Sequence, residues 1–170
     1  SYLDAIGVLE CDDAWPELLD ALENKGDINN IPNILTQDNH RQFLRDQPIL
    51  NVLGQKQNVV FIDPKFYRNR KTDFDSLPYM DRALIYDNTA FKNRYKRTHM
   101  AGRGCPFRCT YCFEEKWNAM YRGKGKLFQR YSPVRFCEEL ADLKNHYDTR
   151  FLKLYDDMFP TFKQDLPWLR

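Results

Sequence analysis

The sequence contains no apolar run near the roughly 18 residues that a membrane-spanning helix needs. It begins Ser-Tyr-Leu-Asp-Ala-Ile-Gly-Val-Leu, with no initiator Met, no basic n-region and no small-residue cleavage site, so a signal peptide is not expected. These residues read instead as a strand entered part-way through. Internal repeats and low-complexity tracts are absent, which excludes solenoid and fibrous classes. A secreted disulfide scaffold is excluded too: the five cysteines are odd in number, and three fall within eight residues. Histidine is scarce, and His40, His99 and His146 read as surface or packing residues rather than ligands.

What is present is a soluble, aromatic-rich composition of 170 residues, enough for one ordinary domain or for pieces of two. The formal charge of +2 conceals an asymmetry. Residues 1–90 carry 9 Lys/Arg against 15 Asp/Glu, whereas residues 91–170 carry 17 against 9. Such a split points to two modules with different partners. Clustered thiols in a soluble chain indicate metal ligands in a reducing compartment, and a cytoplasmic location is expected. Cys137, on the apolar side of a helix, reads as a small core residue.

The opening run Ala5–Leu9 is of buried-strand type. A polar turn follows, then a helix with Pro16 in its first turn, with Leu18, Leu19 and Leu22 on one side and Gly26 as its stop. Residues 36–92, punctuated by Pro48, Pro64 and Pro78, read as a linker packed along a surface, with a short strand at Asn58–Ile62. From Arg94 the pattern predicts a strand, a Gly-rich loop at 101–104, the cysteines, and a helix opening at Ser132-Pro133. Phe136, Cys137, Leu140, Leu143 and Tyr147 give that helix one apolar face. Phe151–Tyr155 reads as the next strand, parallel to the first, which makes one βαβ unit. The expected class is α/β.

The run Cys105-Pro-Phe-Arg-Cys109-Thr-Tyr-Cys112 carries the chemistry. Three thiolates at spacings of four and three residues can converge on one inorganic centre while the backbone stays compact. Iron–sulfur clusters take four Cys ligands, so three leave one iron open. Gly102 and Gly104 allow close backbone approach and unusual dihedrals; Arg103 and Arg108 set positive charge near an anionic centre. Structural zinc is the rival, but it takes four ligands, usually paired as Cys-x-x-Cys, and only His99 offers a fourth. A second class is a single-stranded nucleic-acid-binding module holding a structural metal. Residues 92–130 hold 11 Lys/Arg against Glu114 and Glu115, interleaved with Tyr95, Phe107, Tyr111, Phe113, Trp117, Tyr121 and Phe128.

Gly104-Cys-Pro-Phe-Arg-Cys-Thr-Tyr-Cys112 resembles the Cys-x-x-x-Cys-x-aromatic-Cys signature of the radical S-adenosylmethionine enzymes. Arg-Gly-Cys-Pro-Phe-Arg-Cys is similar to the wording of members that carry a cobalamin-binding domain in front. Arg130-Tyr-Ser-Pro133 resembles the opening of the first barrel helix in that subfamily, and Phe151–Phe159 its second strand and following loop. Upstream, Asp4–Glu10 and Trp15–Leu19 resemble the last strand and helix of the cobalamin module, with Leu9-Glu10-Cys11-Asp12 where the family has Gly-Glu-Gly-Glu. The resemblance implies the tail of a Rossmann-like cobalamin-binding module over 1–35, a linker over 36–92, and the first β/α units of a partial TIM-type barrel over 93–170. It implies a 4Fe–4S cluster on Cys105, Cys109 and Cys112. Tyr111 would lie near the adenine of S-adenosylmethionine, and Asp156 and Asp157 near its methionine moiety. Reductive cleavage would yield a 5′-deoxyadenosyl radical, with cobalamin as a further cofactor for methyl transfer. A reductant such as flavodoxin or ferredoxin, and a small-molecule or RNA substrate, are the implied partners. About two barrel strands fit after Arg94, where the family closes six β/α units, so the chain is expected to be a fragment that is not a competent catalyst alone.

Overall fold

The computed structural model describes residues 3–50, 54–159 and 163–169. In the first stretch, Ala5–Gly7 forms β1 and pairs antiparallel with β2, Ile34–Thr36, so that Ile6 lies opposite Leu35. Between them runs α1, Ala14–Glu23. Its buried stripe is Ala14 and Leu18, with Ala21 packed alongside, and these close on Ile31 and Ile34. Leu19 and Leu22 are exposed, contrary to the expected face, because the steps 14, 18 and 21 select a stripe that contains two alanines. Ile6 is also exposed rather than buried. The helix ends in a Schellman arrangement: the Gly26 N–H donates to the Ala21 carbonyl at 2.7 Å, and that of Lys25 to Leu22 at 3.3 Å. Lys25, with φ 52°, takes the left-handed position expected of Gly26.

A short helix α2, His40–Phe43, leads into the antiparallel hairpin of β3, Leu44–Leu50, and β4, Lys56–Ile62. The strand expected at Asn58–Ile62 is therefore present. The chain divides into two compact units, Ser1–Arg70 and Lys71–Arg170, with the boundary inside the stretch read as linker.

The second unit is built on the expected βαβ motif. β5, Lys96–His99, pairs in parallel with β8, Phe151–Leu154, residue 96 opposite 151 through 99 opposite 154. Between them lie β6, Gly102–Arg103; α4, Glu114–Met120; β7, Gln129–Arg130; and α5, Pro133–His146. α5 starts as the sequence predicts: Ser132 Oγ accepts the Arg135 N–H at 3.1 Å and Pro133 follows at the first helical position. Its inner face carries Phe136 and Leu143 but also Arg135 and Glu139. Cys137 is exposed, which corrects its reading as a core residue: it lies one helical step, about 100°, away from the Phe136–Leu143 stripe.

Upstream of β5, the short helix α3, Ala83–Tyr86, packs on α5 through buried charge. Arg82 reaches Glu139 at 2.5 Å and Asp142 at 3.1 Å, and Arg135 reaches the other oxygen of Glu139 at 3.0 Å. The last described helix is α6, Leu166–Leu169, whose Trp168 indole donates to the Tyr131 carbonyl at 2.9 Å. The architecture is mixed α/β with four two-stranded sheets, none of which closes a barrel among the described residues. No helix among them is long and apolar enough to cross a membrane.

Candidate functional site

The cysteines follow directly from the C-terminal end of β5, and three fixed points define the root of their loop. First, β6 pairs antiparallel with β7, Gly102 opposite Arg130, and the Tyr131 N–H donates to the Ala101 carbonyl at 2.9 Å. A Cβ on Gly102 would lie 2.3 Å from the Gln129 carbonyl oxygen, so this crossing admits no side chain. Second, Asp156 Oδ1 accepts the N–H groups of both Ala101 and Gly102, each at 2.8 Å. Third, Asp157 Oδ2 accepts the Gly104 N–H at 3.2 Å, and Gly104 itself takes the left-handed φ of 84°. The roles expected of the two glycines, close approach at one and an unusual dihedral at the other, are both present.

The tip carries the thiols. The Cys112 N–H donates to the Cys109 carbonyl at 3.0 Å, a turn that folds the second and third cysteines toward each other. α4 begins at Glu114, and from it the Asn118 side-chain amide donates to the Cys105 carbonyl at 2.7 Å. One loop thus presents all three cysteines, Cys105 and Cys112 half-buried and Cys109 exposed, each a free thiol.

No family model, curated protein or solved structure matches the chain.

The residues singled out from the sequence converge on this loop. Asp156 and Asp157 reach its root, where both hold backbone amides; the second oxygen of Asp156 is buried and has no hydrogen-bond partner. Burial pushes the Asp156 carboxyl above its ordinary range, against the lowering effect of the Ala101 and Gly102 amides. Tyr111 is 91% exposed, and its phenol is held above the usual range first by a hydrogen bond with Cys109. Arg103 turns its guanidinium over the Phe74 ring, 4.9 Å from the centroid. His99 is not in the thiol set: only 4% exposed, it stacks on Phe136 at 5.6 Å and on Tyr131 at 6.3 Å, a packing residue as read from the sequence. His146 is exposed and pairs with Asp142, and His40 bonds to the carbonyls of Thr36 and Gln37.

Among the described residues, no three His, Cys, Asp or Glu side chains are gathered tightly enough to hold a single metal ion. The donor set on the loop is purely thiol, the class that selects zinc or iron–sulfur centres over hard cations. Two participants were not legible in the sequence. The short helix α4 has a mixed pattern too brief to announce itself, and Asn118 is an unremarked amide until that helix brings it to Cys105.

Proposed function

We propose that this chain belongs to a radical S-adenosylmethionine enzyme and holds a 4Fe–4S cluster through Cys105, Cys109 and Cys112. The observation that carries this reading is a single loop, following a parallel strand, with three free thiols at its tip and a root pinned by Asp156, Asp157 and the Gly102 crossing. When bound, the cluster and S-adenosylmethionine supply an electron and a 5′-deoxyadenosyl radical, chemistry that no side chain provides.

The chain's own part is holding and orienting. Cys105, Cys109 and Cys112 would hold the cluster, and three thiolates would leave one iron open to S-adenosylmethionine. The Asp156 and Asp157 carboxylates keep the loop entry in place through the amides of Ala101, Gly102 and Gly104. Tyr111, beside Cys109, serves the adenine side. On this reading the βαβ unit is the first repeat of a partial TIM-type barrel and 1–35 is the tail of a Rossmann-like module. The cytoplasm and an electron donor such as flavodoxin or ferredoxin are its setting.

Cobalamin does not fit in the same way. Where the family has glycines, Leu9 and Cys11 carry side chains, and the Cys11 thiol is folded back toward the Val8 and Leu9 carbonyls at 3.5 and 3.7 Å. That turn is filled from within, and no step is assigned to a corrin.

Anaerobic reconstitution with iron and sulfide, then reduction, tests the proposal. The expected result is an electron paramagnetic resonance signal of a reduced 4Fe–4S cluster that shifts on adding S-adenosylmethionine and disappears in Cys109→Ala. A folded sample that takes up zinc and no iron would refute it. A second reading, a single-stranded nucleic-acid module, is favoured by the exposed rings of Tyr95, Phe107, Tyr111 and Phe113 in the basic segment. Its mark would be oligonucleotide affinity that falls steeply with salt in the cluster-free chain.

A further inference from the structure

The second unit contains a cavity of about 580 Å³, within the range of small-molecule sites. It lies along β5, between that strand and the segment that carries α3. None of the cysteines lines it. Its wall is largely apolar and aromatic, with Phe74, Tyr86, Phe91, Tyr131 and Tyr155 contributing five rings. The charged groups on the wall are all of one sign: Arg94, Lys96, Arg97 and Arg103 are present, and no Asp or Glu is.

Arg97 is the informative member. It is 3% exposed, yet no carboxylate pairs with it among the described residues. Its two terminal nitrogens donate only to backbone carbonyls, those of Phe91 at 3.0 Å, Lys92 at 3.3 Å and Tyr147 at 3.1 Å. Its Nε has no hydrogen-bond partner, and its guanidinium lies 4.4 Å from the centre of the Tyr86 ring. By contrast Arg82 and Arg135, the other buried cations of this unit, are neutralised by Glu139 and Asp142. A buried charge without a counter-charge is strongly unfavourable. Cations gathered on one apolar concavity, Arg97 with Arg94 and Lys96, raise the local concentration of anions.

We propose that this cavity binds a small anion carried on a flat aromatic body, its charged group against Arg97 and its ring beside Tyr86. The anion supplies the counter-charge that Arg97 lacks, and the aromatic wall buries the body. Arg94 and Lys96, both at the exposed margin, add attraction to the same group. S-adenosylmethionine is the wrong chemistry for this cavity, since its sulfonium would meet the charges of Arg97, Arg94 and Lys96. The site shares Gly102 and Arg103 with the root of the thiol loop but none of its cysteines, and does not depend on a cluster being held there.

Aromatic phosphates and aromatic carboxylates share the required chemistry. Calorimetric titration of the full 170-residue chain with adenosine monophosphate and with 2-naphthoate separates them, with adenosine and inorganic phosphate as controls. The expected result is saturable one-to-one binding of at least one aromatic anion, ten-fold or more tighter than either control. Arg97→Gln is expected to weaken it by ten-fold or more, and Arg94→Gln with Lys96→Gln together by at least three-fold. Should Arg97→Gln fail to fold, the double variant at the exposed positions decides. Failure of both aromatic anions to saturate, adenosine binding as tightly as its monophosphate, or a folded double variant of unchanged affinity would each overturn the proposal.

Discussion

Acidification should act on this protein first through His99. The ring is 4% exposed, stacked between two aromatic rings, and neither of its nitrogens has a hydrogen-bond partner. Burial above all, and then the charge of Arg82, lowers its pKa from 6.5 to about 4. The folded pKa lies below the unfolded one, so the contribution is fully present above pH 6.5 and is lost as pH falls toward 4. The whole gap corresponds to roughly 3 kcal/mol, of which about 2 kcal/mol is gone by pH 5. The matched variant is His99→Phe, which keeps a flat ring on Phe136 and removes both the titration and the two unsatisfied nitrogens. Urea unfolding at pH 7.5 and at pH 5.0, in a Trp15→Phe background, would let Trp117 and Trp168 report on the second unit. Wild type should lose about 2 kcal/mol more than His99→Phe between the two conditions. The raised carboxyl of Asp156 acts in the opposite sense, losing stability as pH rises through its folded value, and is common to both proteins. Equal losses in the two proteins would refute the assignment of a neutral, desolvated imidazole to position 99.

The other predictions concern groups that hold the site. Asp156→Ala strips the acceptor from two amides at once and should lower stability by about 2–3 kcal/mol. Asp156→Asn keeps an oxygen there and should lose about 1 kcal/mol. Urea midpoints check this pair, and reconstituted iron per chain should fall further in the alanine variant. Glu139→Ala leaves Arg82 and Arg135 buried without their shared partner, and a loss of about 3–5 kcal/mol is expected in the same assay. Glu139→Gln, which retains hydrogen-bond capacity, should lose less.

The parallel pairing of β5 with β8 was legible because a stretch leading into a Gly-rich loop and the apolar run at Phe151–Tyr155 flank a well-capped helix, and such a pair needs a crossover. Ser132 and Pro133 announced the start of α5 by their chemistry alone. Gly102 and Gly104 were legible as special positions, although not which of them would be the tight crossing. The buried charges were not. Arg97, Arg135 and Glu139 sit where sequence patterns place solvent, because a charged residue is read as exposed until its partners are known, and Arg82 and Tyr147 lie far along the chain from the residues they meet. Cys137 was misplaced because Arg135 and Glu139, and not a further apolar residue, share the buried face of α5 with Phe136 and Leu143. Leu9 is a subtler case. It stands where the resembled family has glycine, and its φ of 63° is the left-handed conformation that glycine would adopt without penalty.

The grip of Asp156 and Asp157 on the loop root also bears on the order of folding. These hydrogen bonds join residues 55, 54 and 53 positions apart. Contacts of such separation form late, since the intervening chain must close before they contribute. All three thiols therefore exist in the chain well before the groups that fix their loop have docked. Any metal captured earlier meets unconstrained cysteines, and the geometry that distinguishes one inorganic centre from another arises only when β8 pairs.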